Sequence, residues 1–392
     1  MSGFKKMTAI LNLLFFHVLS QAAKDHGGLY QEIRPGTMEA DNPSMCGSQS
    51  SLHLIPDYDP NIWAYPPRCE QGDDGNACLY TSNSFAGGRG ISMIMPPEIA
   101  GNVSKLPAFT EEGLLEPANR ESDLPYDAKI IPGRGMGAVA NRAIKKGERV
   151  TLFNPLVMIH VGSRSAAPAN KMRSMQRQAI HQLGSEQQNL FLRQHGEFGG
   201  DAIEDIINTN SFAMGGVAGD DNTFVAIFPE VSRFNHDCRP NLEYTFDPHS
   251  LTQATYAART ITPGTELTLS YINLISPRSE RLYVLQGGWG FKCNCHHCSR
   301  TLEELDISDR HIQKFRSIWP TCGDIWNPDT SCSVDDAMEL AWLAKQERLD
   351  GQWIAMCYFQ AAKAFQRAGL EELASKYHQL AYDNTRILTF NL

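Results

Sequence analysis

Positive charge is in short supply in this chain. Lys and Arg number 35 against 44 Asp and Glu over 392 residues, a formal net charge of −9. A broad basic face able to hold a nucleic-acid backbone is therefore not expected. The acidic excess either attracts basic peptides or simply keeps the protein in solution. Long apolar runs are also scarce. The one extended run, Met7 to Leu19, is shorter than the roughly 20 residues a helix needs to cross a bilayer, and no other segment comes near. Low-complexity tracts are lacking too. What remains, 42% hydrophobic and 20% charged, is the composition of a globular chain long enough for two or three structural units.

The apolar run has a context of its own. Lys5 and Lys6 precede it and Ser20-Gln21-Ala22-Ala23 follows, the order of a secretory signal peptide over residues 1–23. The competing reading is a buried helix of the mature fold, which would leave the protein cytoplasmic. Export would expose the single sequon, Asn102-Val103-Ser104, to glycosylation. It would also suit disulfides. Of 10 cysteines, Cys238, Cys293, Cys295 and Cys298 group separately. Cys46, Cys69, Cys78, Cys322, Cys332 and Cys357 are then an even set compatible with three bridges, whose connectivity spacing cannot give.

Texture divides the chain further. Residues 24–128 are rich in Pro, Gly, Ser and Asn, with turn material at Gly72–Cys78 and Phe85–Gly90, and read as an irregular, disulfide-stapled arm. From Lys129 short apolar runs alternate with Gly and Pro, the pattern of strands joined by tight turns. Ala169 to Ile207 lacks Pro and carries apolar residues at helical spacing, Ile203, Ile206 and Ile207 among them, so a helical insert is expected over about 165–210. Strand texture returns in Thr223–Phe228, Asn241–Phe246, Ala254–Ile261 and Glu266–Ile272. Beyond Arg300 the chain reads as helical, with Ser333 as an N-cap ahead of Asp335 and Asp336, then helices near Trp353–Arg367 and Glu371–Thr385. The expected class is α+β, with a β-rich unit over 129–275, a cysteine-rich segment over 276–300 and an all-helical region over 301–392.

Chemistry concentrates in two places. Cys293-x-Cys295-x-x-Cys298 supplies three thiols in one tight loop, and Cys238, in the run Phe234–Asn241, supplies a fourth. Four soft ligands at such spacing suit a closed, structural zinc site. His296 and His297 compete for the fourth place, and disulfide pairing is the plainer alternative. Around these lie a glycine-rich turn, Pro132–Gly137, a tyrosine ending a strand, Tyr271, and an aromatic beside the thiols, Phe291. Each alone is ordinary turn or core material. Asp237 and Arg239 read as a surface pair without a role.

Their order along the chain gives these elements weight. Gly135-Met136-Gly137, then Asn235-His236-Asp237-Cys238-Arg239-Pro240-Asn241, then Thr265-Glu266-Leu267 with Tyr271, then Cys293–Cys298 resembles the sequence of signatures in SET-domain lysine methyltransferases. The closest flavour is the SET-and-MYND group and fungal-type SET proteins. Departures are visible: Asp237 and Thr265 stand where the family usually has Ser and Glu, and the helical insert carries no cysteine, so no MYND finger is expected. A leader is also unusual for enzymes that act on histones.

The resemblance implies a fold, a cofactor and roles. S-adenosylmethionine would lie against Gly135, Met136, Gly137, Asn235 and His236, with Phe291 over its adenine. Tyr271 would place its hydroxyl beside the transferring methyl, as both catalytic and cofactor-binding residue. Cys238, Cys293, Cys295 and Cys298 would hold structural zinc. The implied partner is a protein or peptide lysine; the alternative is a SET fold recruited to small-molecule biosynthesis in the secretory pathway or to a non-catalytic binding role.

Overall fold

The computed structural model describes residues 58–72, 75–164, 166–219, 221–322 and 332–384; the expected leader and Cys46 lie outside them. Strands β1 (Arg68–Gly72), β2 (Gly75–Ser82) and β3 (Ile91–Met95) lead to helix α1 (Pro97–Val103). Then come β4 (Tyr126–Ile131), β5 (Gly135–Ala140), β6 (Arg149–Phe153) and β7 (Val157–His160). An insert of helices α2 (Ala169–His181), α3 (Ser185–Leu192) and α4 (Ala202–Asn210) separates these from β8 (Ser211–Gly215) and β9 (Thr223–Ile227). The short β10 (Asn235–His236) precedes β11 (Leu242–Asp247), β12 (Thr252–Ala257) and β13 (Glu266–Leu269). Helices α5 (Arg278–Trp289), α6 (Leu302–Cys322), α7 (Val334–Gln346), α8 (Gln352–Arg367) and α9 (Glu371–Asn384) complete the described chain.

The strands form three sheets, in the orders β1-β2-β3-β7-β9-β8, β10-β13-β5-β4 and β11-β12-β6. Side chains on a strand alternate between faces, and in the largest sheet both faces are covered. Tyr80, Met93, Met158, Phe224 and Ala226 point into the main core, against the other sheets. Their neighbours Leu79, Ile94, Ile159, Val225 and Ile227 point into a second core, closed by Met172, Met175, Ala179 and Ile180 of α2 and Ile206 and Ile207 of α4. The insert is thus a lid on one sheet face. Asp201 caps α4 by accepting from the Ile203 and Glu204 amides at 3.2 and 3.1 Å.

The segment expected to be irregular holds regular structure. β1, β2 and β3 belong to the largest sheet, and within the run expected to be turn material Gly72 ends β1, pairing with Gly75, and Gly75–Cys78 are strand residues of β2. All five residues of β3 are buried, so it lacks the polar alternation by which a half-exposed strand announces itself. Cys69 faces Cys78 across that hairpin and is bonded to it. Cys322 is bonded to Cys332, while Cys357 is buried and unpaired among the described residues. A third bridge is therefore not formed among them.

The helices after Arg300 pack together around Phe315, Leu340, Ile354, Tyr358 and Phe365, with Ala337, Ala341, Ala344 and Ala361 allowing close approach. Ser333 does cap α7, accepting from the Asp336 amide at 3.0 Å. Among the described residues no helix is long and apolar enough to cross a membrane.

Candidate functional site

The site forms where β10, β13 and β5 run side by side. Parallel pairing sets Asn235 opposite Thr268 and His236 opposite Leu269, and antiparallel pairing sets Glu266 opposite Val139. After His236 the chain turns sharply. The Asp237 carboxylate accepts from the Arg239 amide at 2.8 Å, an Asx turn. Asn241 then stands in for missing ladder bonds: its carbonyl accepts from the Thr268 amide at 2.8 Å and its amide donates to the Glu266 carbonyl at 2.8 Å.

The two selected glycines do different work. Gly135 has φ +71° and open space where a Cβ would stand, so it serves the turn. Gly137 has no positive φ, but a Cβ there would lie 2.4 Å from Ile131 Cδ1 and 2.8 Å from Asn235 Nδ2. Its missing side chain lets Asn235 approach β5. Asn235 donates to Glu266 Oε1 at 2.9 Å, and the other oxygen of that carboxylate pairs with Arg134 at 2.9 Å. Arg134 also donates to the main-chain carbonyl of His236. This cation–carboxylate–amide chain is partly open to solvent. Met136, on the strand between the glycines, is half exposed.

His236 is buried and its ring is committed to the protein. The Tyr271 amide can only donate, so Nδ1, at 3.1 Å, accepts. The proton then sits on Nε2, 3.3 Å from Cys238 Sγ. Burial pushes the ring down to about 3, and it stays neutral at ordinary pH. His236 therefore offers a ligand only its main chain.

Tyr271 donates its hydroxyl proton to the Phe234 carbonyl at 2.9 Å. Burial raises its pKa well above the ordinary value, so the phenol stays neutral. With its proton committed, the oxygen can only accept from a further partner. Rings surround it: Trp289 at 5.2 Å, His236 at 5.4 Å and Phe291 at 6.5 Å between centroids. Trp289 is anchored to the helical insert, donating to the Thr209 carbonyl at 3.1 Å.

Next to these rings the four thiols of Cys238, Cys293, Cys295 and Cys298 all lie within 4.8 Å of one another, and all four residues are buried. Cys238 Sγ is 3.9 Å from Cys293 Sγ and 3.5 Å from Cys298 Sγ. A disulfide needs about 2.05 Å, whereas four thiolates 2.3 Å from a tetrahedral zinc sit about 3.8 Å apart. The donor set fits zinc. The thiols share protons unequally: Cys238 and its neighbours hold Cys295 down to about 5, while hydrogen bonding with Cys293 pushes Cys238 up. A divalent cation resolves that conflict by stabilising four thiolates together. Arg281, buried alongside, contributes positive charge to Cys238 and Cys298. His296 is exposed, and His297 turns toward Ser308 at 3.4 Å, so neither joins the cluster.

Of the residues selected from sequence, the structure brings Gly137, Asn235, His236, Tyr271, Phe291 and the four cysteines together, with Gly135 and Met136 continuing β5. It adds Arg134, Arg281 and Trp289, which sequence reasoning missed. Arg134 had a signal, since it lies between two glycines of the turn; Arg281 and Trp289 had none. Arg239 corrects an expectation outright. It is buried, not a surface residue, and pairs with Glu347 at 2.8 Å.

Residues 135–272 match the SET domain family. The chain is similar to histone-lysine N-methyltransferase set5 of Schizosaccharomyces pombe, 28% identical over half of this chain and 56% of that protein. It is also similar to N-lysine methyltransferase SMYD2-B of Danio rerio, 31% identical over 35% of this chain and 30% of that one. Human histone-lysine N-methyltransferase SMYD3 is 33% identical over 24% of this chain and 22% of its own length. The chain thus spans between about a fifth and just over half of these relatives. The family match opens at Gly135 and closes one residue past Tyr271, so the segment that folds around the site is the one that is similar to a SET domain.

Proposed function

We propose that this protein is an S-adenosylmethionine-dependent methyltransferase that acts on a protein lysine. The observation that carries the reading is Tyr271: a neutral phenol whose proton is committed to Phe234, leaving its oxygen as an acceptor within a cage of Trp289, Phe291 and His236. Bound S-adenosylmethionine would supply an electrophilic methyl on a sulfonium. The residues present suit such a ligand. Arg134 offers a cation for a carboxylate, Asn235 an amide, the His236 main chain polar contacts, and Phe291 a face for a planar base. Tyr271's oxygen can orient a polarised methyl by weak C–H···O contact, and the surrounding rings desolvate an incoming amine, which favours its neutral, nucleophilic form. Alignment then supplies the rate, without a strong base.

The closed four-thiolate set makes zinc structural in this reading. The partners are a lysine-bearing protein or peptide, not nucleic acid. We also propose export through the leader at residues 1–23, supported by the bonded pairs Cys69–Cys78 and Cys322–Cys332 and by Asn102, which is exposed near the end of α1 and open to a glycan.

The test is calorimetric titration of the mature chain with S-adenosylmethionine, zinc assayed on the same sample, followed by lysine-peptide methylation with Tyr271→Phe as control. Micromolar binding, about one zinc per chain and methylation lost in the variant are expected. A folded, zinc-loaded protein that binds no S-adenosylmethionine would sink the reading and favour a SET fold recruited to other chemistry or to binding alone.

A further inference from the structure

One buried carboxylate outside the site reaches both of its halves. Glu347 follows α7, and its side chain is 3% exposed. Its Oε2 accepts from Arg239 at 2.8 Å and from the Ser308 hydroxyl at 2.6 Å, and its Oε1 accepts from His311 at 2.9 Å. Arg239 is the residue after Cys238 and also donates to the Cys238 carbonyl at 2.7 Å. His297, the residue before Cys298, lies 3.4 Å from Ser308 Oγ. Since Ser308 gives its proton to Glu347, that contact requires His297 to donate. One carboxylate on the helical region thus grips the Phe234–Asn241 run through Arg239 and the Cys293–Cys298 loop through Ser308 and His297.

The surroundings support a fixed seat. The turn between α7 and α8, residues 347–351, and the first residue of α8 dock on the residues around Arg239 and Glu243. Arg259 pairs with Asp350 at 2.8 Å and donates to the Arg239 and Pro240 carbonyls at 2.9 Å each. The Gln352 amide donates to Glu243 at 2.6 Å. Gly351, φ +66°, lets Glu243 in, since a Cβ would stand 2.2 Å from its carboxylate. A buried ion pair is weak support for stability as such, because desolvation offsets the attraction. Here the pair instead joins two segments, the Arg239 turn and the helical region, through directional bonds.

We propose that Glu347 is a positioning residue: the helical C-terminal region, through this carboxylate, sets the relative placement of the Asn235–Cys238 and Phe291–Cys298 limbs, and with it the affinity for S-adenosylmethionine and the retention of zinc. Its affinity arm rests on the methyltransferase reading; its zinc arm does not.

The test uses the full mature chain, zinc-loaded, well below its melting temperature. Glu347→Gln, the milder Ser308→Ala, and Glu339→Gln as a control, an exposed partner of Lys314 on α7 away from the seat, are compared for S-adenosylmethionine Kd and for the rate of zinc transfer to a chromophoric chelator. Glu347→Gln is expected to weaken Kd about tenfold and Ser308→Ala about threefold, in the range of couplings carried by such networks, with zinc transfer faster in both and Glu339→Gln unchanged. A purely structural role would lower the melting temperature and leave both readouts of the folded protein untouched, which would overturn the proposal. Failure of the wild-type chain to bind S-adenosylmethionine would instead remove the methyltransferase reading, and zinc transfer alone would then decide. Should Glu347→Gln not fold, Ser308→Ala carries the decision: wild-type zinc transfer in that variant overturns the role.

Discussion

Gly137→Ala isolates the contact that seats Asn235. The added methyl would stand 2.4 Å from Ile131 Cδ1, 2.8 Å from Asn235 Nδ2 and 3.2 Å from Glu266 Oε1. Ile131 presents the far end of a flexible side chain and swings aside at little cost. Asn235 cannot do so as easily, because it is bonded to Glu266 and paired through β10 to β13. Its amide must retreat by about 0.6 Å to reach ordinary contact at 3.4 Å, and its acceptor is pressed by the same methyl. Overpacking of this kind costs about 1–3 kcal/mol, which for a domain of this size lowers Tm by roughly 3–10 °C. Gly135→Ala meets no atoms; its cost is the left-handed backbone alone, about 1–2 kcal/mol. Thermal unfolding and S-adenosylmethionine calorimetry on both variants separate the two. Removing the Ile131 terminal methyl with Ile131→Val in the Gly137→Ala background should leave most of the loss in place. Full recovery of stability and affinity in that double variant would show that Ile131, not Asn235, sets the need for glycine, and would refute the reasoning.

Acid should weaken the grip of the helical region. Burial alone would raise Glu347, but hydrogen bonds from Ser308 and Arg239 outweigh it and leave its folded value below the ordinary 4.5. A carboxylate depressed in the fold adds stability above its unfolded value, and that part is lost as pH falls through the folded value; melting curves below pH 4.5 should therefore flatten in Glu347→Gln, and an unchanged pH slope would contradict it. Reducing Cys322–Cys332, whose cysteines are 10 residues apart, should cost about 3 kcal/mol on chain-entropy grounds, seen as a lower Tm in dithiothreitol that Cys322→Ser with Cys332→Ser reproduces. Stripping zinc with a strong chelator should lower Tm and abolish S-adenosylmethionine binding together, since Cys238 lies two residues from His236 and bonds to its ring; retained affinity in metal-free protein would separate the two sites.

Local chemistry was legible and long-range partnership was not. The gathering of the thiols, the Asn-His run and Tyr271 was readable because each is a short segment with distinctive residue types at close intervals. The insert was readable from its 3.6-residue periodicity, which Met172, Met175, Ala179 and Ile180 obey. The first three strands were not, because β3 is buried on both faces and β1 and β2 are bordered by glycines that resemble loop. Arg239 misled for another reason. In sequence it lies between Asp237 and a proline, as a surface turn residue would; its partner is 108 residues away. Nothing in the local pattern marks a side chain for burial when the carboxylate that permits it comes from another structural unit. Trp289 and Arg281 were hidden likewise, on a helix with little amphipathic contrast.

The cysteines pose a conflict that the geometry resolves. Zinc thiolates favour a reducing setting and disulfides an oxidising one, yet one chain shows both patterns. The two chemistries are kept apart by place. Cys69–Cys78 closes a hairpin of the largest sheet and Cys322–Cys332 joins α6 to the residue before the α7 cap. The signature four are buried beneath Tyr271, Trp289 and Phe291, with Arg281 beside them. Oxidation needs an exposed thiolate and a partner at bonding distance. The 3.5 and 3.9 Å separations from Cys238 sulfur suit shared metal and lie well beyond a bond. Cys238 and Cys293 are also 55 residues apart on separate limbs, so bridging them would require those limbs to shift against the grip of Arg239 and Glu347. The carboxylate that positions the site would thereby also protect its thiols, and loosening it should raise their susceptibility to oxidation along with zinc loss. Mass spectrometry of Glu347→Gln held in an oxidised glutathione buffer would detect this as disulfides among the four that the wild-type chain does not form; equal resistance in both would mean that metal and burial suffice without Glu347.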